Sequence, residues 1–226
     1  MKGDIMTVWN DNSAEWIKLI KEELIPSRKV TNRAIEKAIL QHDFNRICDI
    51  GCGEGWLVRR LRELGREANG VDATINLIEY ARSQGHAKYA VQTFQQISEG
   101  VPLANGPYDA AILNFCIYEH ESTFELLREV ADQLEGKRLI FIQSLHPLSI
   151  LKMGMPYQDQ WLDDSWKGLD GNFTSTHSWY FRTFSGWINM FNDLSLKIVE
   201  VTEPVAPASS EPLSVIFTLT TSQHHE

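Results

Sequence analysis

The sequence predicts an α/β fold: a doubly wound, mostly parallel seven-stranded sheet with an antiparallel terminal strand and an aromatic lid insertion. Three observations carry that expectation. Short apolar runs alternate with amphipathic helical segments between residues 46 and 143. A glycine-rich turn joins the first of these runs to the helix after it, and two strand-like runs close the chain across a proline-rich connection. Five strand–helix units in succession place helices on both faces of a parallel sheet, and a terminal hairpin adds its antiparallel member.

The elements follow in order. Trp16, Ile17, Leu19, Ile20 and Leu24 recur at helical spacing and predict a helix over 12–24. A second helix, 31–41, starts at Thr31 as its cap. Strand 46–50 precedes helix 55–65, strand 67–71 precedes helix 74–84, and Gly85 stands where a helix C-cap is expected. A third strand lies near 88–92, and a fourth at 108–113 after a Pro/Gly/Asn loop. Ser122 and Glu125 read as a capping box opening helix 122–134. Residues 138–143 form a continuous apolar run of the kind buried in a parallel sheet. From 144 to 184 the rhythm gives way to aromatics among Gly, Asp, Asn and Ser. Helix 185–194 and strands 196–202 and 213–221 complete the chain.

The 226 residues suit a single domain spanning 1–226, with 1–41 as an N-terminal helical cap and 144–184 as the insertion. The net charge of −9, with no clustered lysine or arginine, argues against nucleic acid as a partner, because that binding draws on released counterions. No apolar stretch reaches the roughly 18 residues a bilayer span needs, and the first residues lack a secretory apolar core, so no membrane partner and a cytoplasmic location are expected. Three cysteines, Cys48, Cys52 and Cys116, complete no metal set and read as small packed residues; no metal is expected.

Residues 47–56 concentrate the functional signal. A buried-strand run reaches Asp49, crosses Gly51, Gly53 and Gly55, and enters a helix at Trp56. Glycine is needed where the chain turns sharply or lies against a ligand, and the next helix offers its free N–H groups. Trp56 stands where the dinucleotide fingerprint would place its last glycine. Asp72 ends the second strand, 17 residues beyond Gly55, where a carboxylate can accept both hydroxyls of a ribose.

This pattern resembles motif I of the class I S-adenosylmethionine-dependent methyltransferases. The resemblance covers residues 30–143 and, less closely, the final helix and strand. It implies S-adenosyl-L-methionine as cofactor, its methionine portion cradled by Asp49, Gly51, Cys52 and Gly53 and its ribose held by Asp72. Family members place an acid after the third strand to hold the adenine amino group; here Thr93 stands at that position, with Gln92 and Phe94 beside it. Asn114, after the fourth strand, corresponds to a polar residue facing the reactive sulfonium. A Trp-Asp stretch of the family near the N-terminus is matched by Trp9-Asn10.

His146 ends the fifth strand and is the candidate general base for the acceptor. The aromatic insertion, with Trp9 and Trp16, reads as a cover over the acceptor site and suggests a small-molecule acceptor. The expected function is therefore methyl transfer to a small molecule. A nucleotide-dependent oxidoreductase and a non-catalytic methyltransferase-like binding protein are the alternatives; Thr93 in place of the usual acid gives the latter its footing.

Overall fold

The computed structural model describes residues 4–221; the outermost residues of the expected 1–226 domain lie outside them. Helix α1, Ile5–Lys21, is capped by Asp4, whose carboxylate accepts the N–H groups of Met6 and Thr7, so it starts a full two turns before the expected 12–24. Helix α2, Arg28–Leu40, leaves Thr31 buried inside its first turns rather than at its cap. Strand β1, Arg46–Ile50, helix α3, Trp56–Glu63, strand β2, Glu67–Asp72, and helix α4, Ile75–Ser83, follow as the periodicity predicts. Helix α4 stops on Gln84, and Gly85 takes no left-handed conformation.

Strand β3, Tyr89–Val91, leads into a helix the sequence did not signal, α5, Phe94–Ser98. Five residues are too few to show a period. The capping box lies here: the Thr93 hydroxyl accepts the Gln96 N–H, and the Gln96 side chain accepts the Thr93 N–H. The one expected at Ser122 does not form, because helix α6, Glu121–Gln133, already begins before it, without a side-chain cap. Strand β4, Tyr108–Asn114, and strand β5, Leu134–Leu145, flank α6.

The insertion is ordered. It carries a short helix α7, Ser149–Lys152, and an antiparallel pair, β6, Gln160–Leu162, and β7, Trp179–Phe181. Helix α8, Phe184–Asp193, strand β8, Leu196–Thr202, and strand β9, Ser214–Thr221, finish the described chain.

The seven-stranded sheet has the order β3-β2-β1-β4-β5-β9-β8. Strands β1 to β5 run parallel and β9 is antiparallel to both its neighbours, β5 and β8. Side chains alternate across it as a pleat requires. Cys48, Ile50, Ala111 and Leu113 face α6 and α8, where Leu127 and Phe191 are fully buried. Ile47, Ala110 and Ile112 face α2 and α3, against Ile39 and Leu61. Order reverses between β1 and β4, and it is there, beyond the strands' carboxyl ends, that an open sheet of this kind leaves a crevice.

Candidate active site

The crevice is a cavity of about 680 Å³, a size suited to a small organic ligand. The ends of four strands build it. After β1, Asp49, Gly51, Cys52 and Glu54 line it; after β2, Asp72; after β3, Thr93 and Phe94; after β4, Asn114 and Phe115. Seven of the nine residues singled out from the sequence therefore meet on one wall. Gly53 and His146 do not line it.

The glycine turn is built by close approach. Gly51 has φ +75°, and a Cβ there would lie 2.7 Å from Cys116 Cβ. Its N–H and that of Cys52 both donate to the Val71 carbonyl, at 2.8 and 3.0 Å, tying the turn to β2. Gly53 serves the site indirectly: its N–H donates to Asp72 Oδ2 at 2.8 Å, while Asp72 Oδ1 accepts the Thr74 N–H at 2.8 Å. Asp72 is thus clamped by one backbone donor on each oxygen, and each oxygen keeps acceptor capacity.

The electrostatics are acidic. Burial, reinforced by Glu54 and Asp72, holds the Asp49 carboxyl well above the usual carboxylate range. Burial also raises Asp72, against the N–H groups that accompany it. Arg28, at the start of α2, is a basic residue on the same cavity that the sequence reading missed. Burial lowers its pKa, opposed by Glu54, and its guanidinium lies 5.0 Å from the Trp16 ring and 5.9 Å from that of Trp56. Five buried polar atoms on the lining have no hydrogen-bond partner: Asp49 Oδ1, Glu54 Oε1, Asn114 Oδ1, Ser98 Oγ and Arg28 Nη1. Their coincidence on one cavity is the mark of a site awaiting a ligand. The signal for Arg28 in sequence was slight, one member of a basic pair with Lys29 following Pro26-Ser27.

Phe115 adds a backbone feature. Its φ is +53°, rare for an aromatic residue, and it is held by its N–H to Gln143 O at 2.8 Å and by its carbonyl accepting the Tyr118 hydroxyl at 2.6 Å. The turn throws Phe115, Ile117 and Tyr118 across the opening.

A second cavity of about 490 Å³ adjoins the first, and the two share Trp9, Trp16, Arg28, Phe115, Ile117 and Tyr118. These six form a waist. The insertion and α1 roof it together, as the sequence led us to expect of Trp9, Trp16 and the aromatic segment. Trp9 packs edge-on against Trp16 and Trp166, with centroids 5.1 and 4.8 Å apart. Trp16 Nε1 donates to Glu54 Oε2 at 3.1 Å. Buried Asn12 ties helix to insertion, its Oδ1 accepting the Thr174 N–H at 2.7 Å and its Nδ2 donating to Ser175 O at 3.2 Å.

Three expectations are corrected by this geometry. Gln92 lies away from the cavity, its amide spent on the backbone at Pro102 and Ala104. The Thr93 hydroxyl lines the cavity but is committed to the α5 cap. His146 lines neither cavity and is 1% exposed. Its Nδ1 accepts the Leu148 N–H at 3.2 Å, which puts the ring proton on Nε2, 2.7 Å from Glu203 Oε1. Both nitrogens are used, so His146 joins the β5 end to the β8–β9 connection and is not placed to take a proton from an acceptor. His146→Ala is expected to lower stability by about 1–3 kcal/mol and leave turnover per folded molecule unchanged; melting curves and steady-state rates together check this.

A seven-stranded sheet of this order, with an acid-rich cavity at the glycine turn after β1, defines the class I S-adenosylmethionine-dependent methyltransferase fold. A family model described as "Methyltransferase domain" matches residues 11–200, and the chain belongs to that family. Two curated relatives match over 127 residues: a ubiquinone biosynthesis O-methyltransferase from Chelativorans sp. (strain BNC1), 30% identical over 52% of this chain and 48% of its own, and a malonyl-[acyl-carrier protein] O-methyltransferase from Enterobacter lignolyticus, 25% identical over 56% and 46%. The chain therefore spans about half the length of the curated relatives it matches. Among solved structures, magnesium protoporphyrin IX methyltransferase from Synechocystis PCC 6803 with bound SAH superposes with a TM-score of 0.65 at 14% identity, over 96% of this chain and 98% of that one. An S-adenosylmethionine-dependent methyltransferase from Mesorhizobium loti gives 0.62 at 18%, over 83% and 95%. At such identities the likeness is one of fold. No helix among the described residues is long and apolar enough to cross a membrane.

Proposed function

We propose that the chain transfers a methyl group from S-adenosyl-L-methionine to a small-molecule acceptor. The observation that carries this reading is the set of five unpartnered polar atoms around one cavity, a guanidinium among carboxyl, amide and hydroxyl oxygens, which complements a zwitterion that also bears a sulfonium. Arg28 takes the cofactor's carboxylate and Asp49 with Glu54 its ammonium. Asp72 takes the ribose diol and Asn114 faces the sulfonium. Phe94 walls the adenine, with the Thr93 side chain reserved for its helix cap. S-adenosylmethionine, when bound, would supply an electrophilic methyl carbon and leave as S-adenosylhomocysteine, with the proton of a hydroxyl acceptor passing to solvent. The protein's part is to hold the acceptor in line at the waist and keep water out, the work of Phe115, Ile117, Tyr118 and the Trp9–Trp16 roof. The curated relatives are named O-methyltransferases, which favours an oxygen acceptor.

Calorimetry with S-adenosylmethionine and S-adenosylhomocysteine tests the reading. Binding of a nicotinamide dinucleotide in place of both would establish the oxidoreductase, and cofactor binding without turnover over a broad acceptor panel would establish a binding protein. Arg28→Leu is expected to weaken S-adenosylhomocysteine binding by about 10- to 100-fold, since hydrogen bonds to charged groups contribute about 1.5–3 kcal/mol. An unchanged dissociation constant would remove Arg28 from the site.

A further inference from the structure

The second cavity points to a class of acceptor. We infer that it takes a lipophilic molecule with one polar head, the head at the waist and the apolar body running toward a mouth between the end of β5 and β6. This rests on the methyl-transfer reading and adds to it what the acceptor is.

Beyond the waist the apolar walls include Ile25, Met153, Met155, Leu162, Trp179 and Leu213. Two methionines in one wall suit an apolar guest of irregular shape, because the unbranched thioether repacks at low cost. The ionisable residues on this side of the waist, Asp163, Asp164 and Lys167, are all exposed, so they stand at the rim. A small, highly charged acceptor would leave its hydration shell for walls that return only the hydroxyls of Ser27, Thr31, Ser144 and Ser165, with no buried charge among them. One buried polar group differs. Thr31 lines the cavity at 2% exposure, and its hydroxyl has no hydrogen-bond partner in the structure. It sits one turn after Arg28 on the same face of α2, beside the waist, and so offers a single hydrogen bond to a polar head.

The mouth is apolar too. Leu145 and Trp161 line the cavity while 39% and 49% exposed. Leu148 and Leu151 continue the spacing of three from Leu145, at 45% and 53% exposure, along the turn and short helix that lead into Met153. Single exposed leucines are ordinary. A run of them leading from an apolar cavity marks a path for an apolar chain that the cavity does not wholly contain.

A series of 4-alkylphenols, with chains of one to nine carbons, titrated calorimetrically into the protein saturated with S-adenosylhomocysteine, tests this. The dissociation constant is expected to fall about threefold to fourfold per added methylene. Trp161→Asp should flatten the trend for the longer chains with S-adenosylhomocysteine affinity unchanged. Thr31→Val, nearly the same shape, should weaken every member by a common factor of about 2–12. A dissociation constant independent of chain length, with S-adenosylhomocysteine bound, overturns the lipophilic class and leaves methyl transfer standing. A steep chain-length trend in protein that binds no S-adenosylhomocysteine removes the methyl-transfer reading instead.

Discussion

Asp72→Ala is expected to cost about 10- to 100-fold in cofactor affinity and to disturb the glycine turn as well. The carboxylate holds the Gly53 N–H on one oxygen and the Thr74 N–H on the other. Its removal therefore deletes the proposed ribose acceptor and releases two backbone donors at once. A hydrogen bond involving a charged group contributes about 1.5–3 kcal/mol, and each freed buried donor adds a desolvation cost of about 1–3 kcal/mol. Asp72→Asn is not a neutral control, since its amide nitrogen would face one of those two N–H groups. It should fall between wild type and alanine. Calorimetric titration with S-adenosylhomocysteine, alongside melting curves of the free protein, separates the two losses. Unchanged affinity in the alanine variant excludes Asp72 from the ribose site.

Gly51→Ala should be still more damaging to the fold of the site. The new Cβ would fall 2.7 Å from Cys116 Cβ, 2.9 Å from its sulfur and 3.3 Å from Phe94 Cζ. Trimming Cys116 to alanine leaves the shortest of these contacts in place. The backbone at φ +75° adds the strain of a left-handed alanine, about 1–2 kcal/mol. Overpacking contributes a further 1–3 kcal/mol or so, giving a fall of roughly 5–15 °C in melting temperature for a chain of this size. Any displacement that relieves the clash moves Phe94 and Cys116, both on the cavity, so cofactor binding should fail with it. A Gly51→Ala protein that melts and binds like wild type would show that the turn has room to spare.

The parts of this molecule legible from its residues are those that repeat or cannot be built another way. The strands were readable because Cys48 and Ile50 alternate with Ile47, and Ala111 and Leu113 with Ala110 and Ile112. Gly51 and Asp72 were readable because a tight turn and a strand-end carboxylate have few alternative purposes. Helix α5 was not, being shorter than two periods, and its capping box was assigned instead to Ser122, where the pattern exists but the helix starts earlier. Helix α1 began before expected because Ile5, Met6, Val8 and Trp9 crowd its first turns without a clear helical period; Asp4 was the stronger start signal. His146 looked catalytic from its place at a strand end, and only the position of Glu203, 57 residues on, shows the ring turned away. Arg28 and Thr31 illustrate the same limit. Their importance comes from partners they lack, and a missing partner has no sequence pattern.

The clasp between Asn12 and residues 174–175 has a consequence for how the protein comes together. Its two halves are separated by 162 and 163 positions along the chain, whereas the β1–β2 pairing closes over about 20. Long-range closures are made late, because their entropy must be met before the contact returns anything. The sheet can thus assemble with its crevice uncovered, the roof arriving last, from helix α1 and the insertion. The same contacts open first, so amide protons of the roof should exchange faster than those of β1 and β4. The protein's entrance and its least committed substructure are then one and the same, and a bound guest would slow exchange there before anywhere else.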